Sequence, residues 1–341
     1  MNDITLTSAN WTPIGKENYS DFYGKYDGNH HKIIGLKIIN NDNANYVGLF
    51  SRLDNSAIVQ NLTIENVDIK GNMHIGGLAG EAAICRIENV HISGNINIKG
   101  SSSVGGLAGQ CSNVEFSRCS VDSPDGLISA GTGYDVGGLA GRFDVQSTEN
   151  SSISESYASI KVQGNNCVGG LVGNMKYCII ENSYSDCEIT VTGNSPYAFG
   201  GLVGGVNADN ARFTNCYSKG TIKIESTEAG DVGGLCGNIQ SRNQNYQNST
   251  NSFTYVTISV PQDYTVSGYE PYNPDDVRGK VPLYYSDPAG YTYVYSPDND
   301  NHNYLSNGYP ASGLTWSSDV WSGLSEGAYP TLINNPPPAQ P

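Results

Sequence analysis

The stretch VGGLAG stands at 104–109 and recurs unchanged at 136–141. Two adjacent glycines interrupt what otherwise reads as a short apolar strand. Glycine loses the most conformational freedom on ordering and has no side chain to pack, so it weakens a strand interior. The motif nonetheless returns as YVGLFS (46–51), IGGLAG (75–80), VGGLVG (168–173), FGGLVG (199–204) and VGGLCG (232–237). Its leucine falls at Leu49, Leu78, Leu107, Leu139, Leu171, Leu202 and Leu235, in steps of 29 to 33 residues.

About half a period later comes a second motif: an apolar residue, often Asn, a small residue, then often Tyr. Examples are VQNLTI (59–64), IENVHI (87–92), FSRCSV (116–121), IIENSYS (179–185) and FTNCYS (213–218). A third run alternates apolar and polar residues, as in ASIKVQG (158–164), EITVTG (188–193) and GTIKIES (220–226). Three short strands per ~30 residues cannot bury an apolar face alone, but stacked on copies of themselves they can. The expected fold is all-β, a parallel β-helix (β-solenoid) of about seven to eight coils with a C-terminal cap, successive coils ~4.8 Å apart. A helical bundle or a compact sandwich is less favoured, because helical periodicity is missing and the repeat is regular.

Stacking turns equivalent residues into ladders. One holds Val47, Ile75, Val104, Val136, Val168, Phe199 and Val232; a second holds the seven leucines. The slot after Leu takes Ala79, Ala108, Ala140, Val172, Val203 and Cys236, so Cys236 reads as a small buried residue. Cys119 and Cys216 share a slot with Ser156 and Ser183, and the eight cysteines are expected to be mostly free thiols. In VGGLAG the Val and Leu are three apart and would face opposite sides of a plain strand. In YVGLFS they are two apart. The second glycine is therefore expected to act as one inserted residue, a bulge or corner with φ > 0 that turns Leu back inward.

These motifs, with interleaved NSY and NCY, resemble the GLUG repeat of large bacterial surface proteins, among them immunoglobulin A-specific metalloendopeptidases and haemagglutinin-type adhesins. The flanks at 11–38 and GLTWSSDVWSGLSEGAYPTL (313–332) resemble the segments that precede and close such arrays. The resemblance implies a stalk or recognition surface. In the proteases the zinc site lies in another domain, whose HExxH motif this chain lacks.

Composition narrows the function. Charged residues make up 15 % and the net charge is −15, so the field repels phosphate backbones; nucleic acid is not an expected partner. No apolar run is long enough to span a membrane. MNDITLTSANW has no basic or apolar signal-peptide region, which points to a piece of a longer surface protein or to another route of export or assembly. His30, His31, His74, His91 and His302 show no zinc spacing, and the GNHHK pair is expected in an exposed turn. GLSEG at 323–327 has the form GxSxG, but no helix signal and no histidine follow Ser325, so a turn is expected there. No acidic ladder emerges from the aligned repeats; outward slots are expected to offer Ser, Asn, Lys and Thr singly.

The expected organisation is an N-terminal capping segment and first coil (1–46), GLUG-type repeats (47–260), a Tyr-rich cap (261–335) and a Pro-rich tail (336–341). Residues 255–309 hold eleven tyrosines, which either cover the solenoid end or contact a ligand. Tyr284, Tyr285, Tyr291, Tyr293 and Tyr295 are the candidate contacts, and Ca²⁺ at Asp298 and Asp300 is the one cofactor considered. The favoured function is a non-catalytic cell-surface or extracellular stalk or adhesin module whose partner is a glycan or a host or cell-surface protein. A phage fibre or spike in a virion and a carbohydrate-active β-helix enzyme are the alternatives.

Overall fold

The computed structural model describes residues 2–7, 10–15, 21–39, 43–144, 151–193, 197–207, 211–226, 231–239, 249–259 and 314–338, with short strands at 285–286, 292–293 and 304–305. It is a parallel β-solenoid of about seven turns, with no helix among the described residues. One coil shows the plan. A valine strand, Asn166–Gly169, meets the glycine corner and becomes a leucine strand, Val172–Met175. A short strand, Cys178–Glu181, and a long strand, Tyr184–Val191, complete the circuit. Valine strands of successive coils form a six-stranded sheet, and the other three kinds join a twenty-stranded one.

Register follows the repeat. Val104 pairs with Val136, Val136 with Val168, and Val168 with Phe199. Beyond the corner, Phe50, Ala79, Ala108, Ala140, Val172, Val203 and Cys236 run in one line. The valine-ladder residues are at most 9 % exposed and the leucines at most 2 %, so both ladders face one continuous core. In the first copy, Val47 pairs with Ile75 and Phe50 with Ala79. Three residues there match four in the next coil, so the later motif does contain one inserted residue and still points its Leu inward.

The backbone at that insertion differs from the expectation. Positive φ does not fall on the paired glycines but on the residue before the valine: Tyr46 (56°), His74 (58°), Ser103 (50°), Asp135 (59°) and Cys167 (50°). The glycines are required by close approach instead. A Cβ on Gly170 would lie 2.0 Å from the Gly201 carbonyl oxygen, and one on Gly173 would lie 2.4 Å from the Val136 nitrogen. No side chain fits between coils and strands pressed together backbone to backbone.

A second left-handed corner joins the short and long strands at Asn61, Asn89, Arg118, Glu155, Asn182, Asn215 and Asn251. Asn tolerates this conformation and brings an amide that links coils. Asn89 Nδ2 donates to Asn61 Oδ1 (2.9 Å), Asn215 Nδ2 to Asn182 Oδ1 (3.1 Å), and Asn251 to Asn215. The next slot is shared by Cys and Ser as read from sequence: Ser156 Oγ accepts from the Cys119 N–H (3.0 Å) and Ser183 Oγ from the Ser156 N–H (3.2 Å). All eight cysteines are buried free thiols, and burial pushes those of Cys119, Cys216 and Cys236 up to about 12, so they act as small apolar fillers.

Residues 314–335 lie along the side of the rod as a strap, and upstream of them Tyr304–Leu305 pairs in parallel with Phe253 and Thr254 of the last described coil. Tyr157, Tyr184, Tyr217 and Phe253 stack outside the core at centroid distances of 4.8, 4.7 and 5.0 Å. Trp316, Trp321, Tyr329 and Leu332 cover that aromatic ladder. Trp316 Nε1 donates to the Asn251 carbonyl (2.8 Å), the Tyr217 hydroxyl to the Pro330 carbonyl (3.0 Å), and Asn335 Nδ2 to the Cys119 carbonyl (3.0 Å). The strap thus ties together coils from Cys119 to Asn251, while Ser325 sits exposed in its turn, as the missing helix and histidine predict.

Candidate functional site

The glycine corner brings two outward ladders face to face. One consists of the left-handed residues and their equivalents: Tyr46, His74, Ser103, Asp135, Cys167, Ala198 and Asp231. The other, three residues after each leucine, is Arg52, Glu81, Gln110, Arg142, Asn174, Gly205 and Asn238. The last glycine of each motif lets them meet: a Cβ on Gly80 would lie 2.3 Å from the Tyr46 carbonyl carbon, and one on Gly109 2.3 Å from the Ile75 nitrogen. The motif therefore builds a surface as well as a wall.

At the centre of this stripe Asp135 is 2 % exposed. Asn174 Nδ2 donates to its Oδ1 (3.0 Å), and Arg142 lies 3.3 Å from Oδ2 and 2.7 Å from Asp144. Burial raises the Asp135 pKa, opposed by the Asn174 hydrogen bond and by Arg142. Asn207 Nδ2 donates to Asn174 Oδ1 (2.8 Å), extending the amides toward the next coil. With Tyr134, Asn166, Cys167 and Tyr197 these residues line an open cleft of about 420 Å³. Tyr134 is 48 % exposed and forms its aromatic lip.

Nearer the N-terminus, the His74 ring stacks on Tyr46 at 4.9 Å, and Arg52 lies 5.6 Å above Tyr46 and 2.8 Å from Glu81. Burial, with Arg142 and Arg52 nearby, lowers the His74 pKa to about 4, leaving it neutral at pH 7. A second open groove, of about 430 Å³, lies on the long strands, lined by Lys37, Asn66, Asp68, Asn97 and Asp125. Left-handed Gly35, Asn66 and Gly94 bulge the strands there.

This stripe corrects the expectation that outward slots carry Ser, Asn, Lys and Thr singly, since it sets charged and amide side chains against one another. The aligned repeats contain Asp135, Arg142 and Asn174 at fixed offsets from the leucine. Reading the columns at those offsets, instead of seeking one residue type on successive rungs, would have found them. Chemically the stripe presents amides, an aromatic lip and ion pairs that satisfy one another. Among the described residues no group of three or more His, Cys, Asp and Glu is placed to hold a metal. The GNHHK pair lies not in a turn but within the strand Lys25–Ile38, where His30 is exposed at a left-handed bulge beside Asn29 and His31, half-buried, pairs with Leu62 on the next coil. Of the tyrosines singled out from sequence, the backbone of Tyr285 pairs with that of Tyr293 in an antiparallel ribbon. Their side chains, with Tyr284, Tyr291, Tyr295, Asp298 and Asp300, lie outside the described residues.

The GLUG motif family matches three segments of the solenoid, residues 71–97, 164–192 and 195–223. Halomucin of Haloquadratum walsbyi is 38 % identical over 82 residues, 24 % of this chain and 1 % of halomucin's own length. A solved structure from Bacteroides ovatus, described as a candidate immunoglobulin A1 protease, matches with a TM-score of 0.53 at 20 % identity, covering 86 % of this chain and 84 % of its own. That likeness is one of fold.

Proposed function

We propose that this chain is a non-catalytic, extracellular solenoid module of a surface protein, a rod whose outer stripe recognises a glycan or a protein. The observation that carries the reading is the mutual satisfaction of the stripe's charges. Arg142 is engaged by Asp135 and Asp144, and Asp135 also by Asn174, an arrangement suited to holding a fixed surface. A general acid or base instead needs a group within reach of substrate and able to change protonation near the working pH. The match to a hundredth of halomucin fits a unit built into much longer chains. The Tyr-rich region 255–309 adds a second contact region in this reading.

The test has two parts. Fluorescently labelled protein is applied to epithelial cells and to immobilised mucin, with saturable binding expected. Immunoglobulin A1 and a panel of polysaccharides are incubated with the chain, with no cleavage expected. Cleavage that a point substitution in the stripe abolishes would overturn the non-catalytic reading, and absence of binding to either surface would overturn recognition.

A further inference from the structure

The open cleft of about 420 Å³ on the outer stripe carries an aromatic, an amide and a second aromatic in one column. Tyr134 pairs with Asn166 on the next coil, and the Val168–Phe199 register then sets Tyr197 beyond Asn166. The preceding rung of this column is Ser102, so the tyrosines are not a requirement of the repeat. Val136, Val168 and Phe199, two residues on, belong to the core ladder. Tyr134 is instead 48 % exposed, and Asn166 and Tyr197 are half-buried. Core packing accounts for the first set and not for the second. With coils ~4.8 Å apart, Tyr134 and Tyr197 stand ~9.6 Å apart along the rod, with Asn166 between them.

The floor and far wall add polar groups with capacity to spare. Asn174 Nδ2 donates to Asp135 and its Oδ1 accepts from Asn207 Nδ2, which leaves Asn207 Oδ1 as the outer acceptor of that chain. Asn166 Oδ1 accepts from the Cys167 thiol (3.2 Å), and among the described residues its Nδ2 has no acceptor. Arg142 is engaged by Asp135 and Asp144, and Lys176 by Asp144, so neither cation is free for an anionic ligand. The strands beneath the cleft are paired on both sides, which removes the open edge that an extended peptide would need. Its lining also holds no aliphatic side chain to seat a peptide's apolar anchor. What remains for recognition is ring faces and amides.

We infer that this cleft binds a neutral, β-1,4-linked saccharide of three or more rings, lying along the rod. The inference rests on the recognition reading above and specifies its ligand class. In such an extended chain each ring is turned over relative to the last. Every second ring therefore presents the same face, at close to the spacing of Tyr134 and Tyr197. Two such rings stack on the tyrosines, and the ring between them meets the Asn166 amide. Asn207 Oδ1 accepts from a hydroxyl at the Tyr197 end. The paired cations, in a chain of net charge −15, select against anionic sugars.

Binding of the whole chain to cellotriose, N-acetylchitotriose, maltotriose and sialyllactose, by saturation-transfer NMR and calorimetry, tests this. At least one of the two β-1,4-linked probes is expected to bind about tenfold or more tighter than maltotriose, whose α-linkages curl the chain, and than charged sialyllactose. Tyr134→Ala is expected to weaken that binding about threefold to tenfold while melting with the parent, and Tyr134→Phe to leave it unchanged. Asn166→Ala is expected to weaken it about threefold to tenfold, the range of one hydrogen bond. Tyr23→Ala, which removes a ring 57 % exposed near the N-terminus, is the control and should bind as the parent does. No binding of either β-1,4-linked probe, equal binding of maltotriose or sialyllactose, or undiminished binding by Tyr134→Ala would each overturn the assignment. If the chain still adheres to cells or mucin in those cases, only the saccharide site fails. Absence of adhesion with saccharide binding intact would instead remove the recognition reading.

Discussion

Two glycine-to-alanine substitutions, one rung apart, should have opposite consequences. At Gly170 the new methyl would sit 2.0 Å from the Gly201 carbonyl oxygen, against ~3.3 Å for a close C···O contact. The coils would have to separate locally by more than an ångström. The hydrogen bonds holding them there, Gly170 N–H to Gly200 O (3.2 Å), Leu171 N–H to Leu202 O (2.8 Å) and Gly138 N–H to Gly170 O (3.1 Å), have no slack for that. Losing two, at ~1–3 kcal/mol for each buried group left unpaired, gives a destabilisation of about 2–6 kcal/mol. At Gly205 the methyl meets only the Cys167 sulfur at 3.2 Å, which a few tenths of an ångström relieves. Reduced freedom of the unfolded chain then makes Gly205→Ala neutral to stabilising, by up to ~1 kcal/mol. Repeat arrays need not unfold in two states, so the assay is thermal melting together with amide exchange across residues 138–202. Gly170→Ala should melt at least roughly 4 °C lower and lose protection in those coils, and Gly205→Ala should match or exceed the parent. The reasoning is refuted if Gly170→Ala melts like the parent, or if Gly205→Ala falls as far as Gly170→Ala.

Tyr217→Ala removes a fully buried ring that stacks on Tyr184 and Phe253 and bonds the strap at Pro330, and should destabilise by about 3–5 kcal/mol. Two of the three tryptophans lie in the strap, so tryptophan emission should shift to the red; unchanged emission would show that the strap is held elsewhere. Tyr217→Phe keeps the stack and should cost about 1 kcal/mol for the lost hydroxyl bond, read from the same melts. His91 is half-buried with Nε2 against Asn89 Oδ1 (3.0 Å) and Nδ1 against the Ser120 hydroxyl (2.8 Å), and burial lowers its pKa to about 4. The unfolded chain takes up that proton below pH ~6.5 and the folded chain does not, so this histidine's contribution should fall by about 1–3 kcal/mol between pH 6.5 and 4. Half-buried Glu81 and Asp122 and buried Asp135, whose pKa values are raised, work the other way, so the measurement is the difference between parent and His91→Gln melts across that range. Parallel pH profiles would contradict the assignment.

The period, the inward ladders and the buried cysteine slots were legible because they repeat. Each of seven copies carried the same apolar residue at the same offset, and stacking converts that regularity directly into contacts. The strap was not legible as a strap. Its tryptophans have no period, and their partners, Tyr157 through Phe253, occur once per coil at a slot that looks solvent-facing by alternation. Only the distant segment 314–335 makes that slot interior. The position of φ > 0 was also beyond the sequence. His74, Asp135 and Cys167 share no chemistry that favours a left-handed backbone, and the paired glycines offered a more obvious site for it.

Aligned repeats encourage the view that equal residues have equal reasons, and the glycines of this chain show why that fails. Gly170, Gly201 and Gly204 are required by backbone carbonyls and amides of the next coil within 2.6 Å of a would-be Cβ, so their recurrence reports only how tightly the coils stack. Gly205 follows Gly204 directly but occupies a column otherwise filled by Arg, Glu, Gln and Asn. A residue that departs from its column and would meet only side chains where a Cβ would stand is not set by coil stacking. The last motif glycine brings two outward ladders together, and what they present then differs from coil to coil: Asp135 and Arg142 close their rung through an ion pair, Asp231 and Asn238 through a hydrogen bond, and Ala198 and Gly205 stay buried with neither. Scaffold and outer stripe are thus written by the same motif, and the column of residues three after each leucine decides what chemistry a given coil presents.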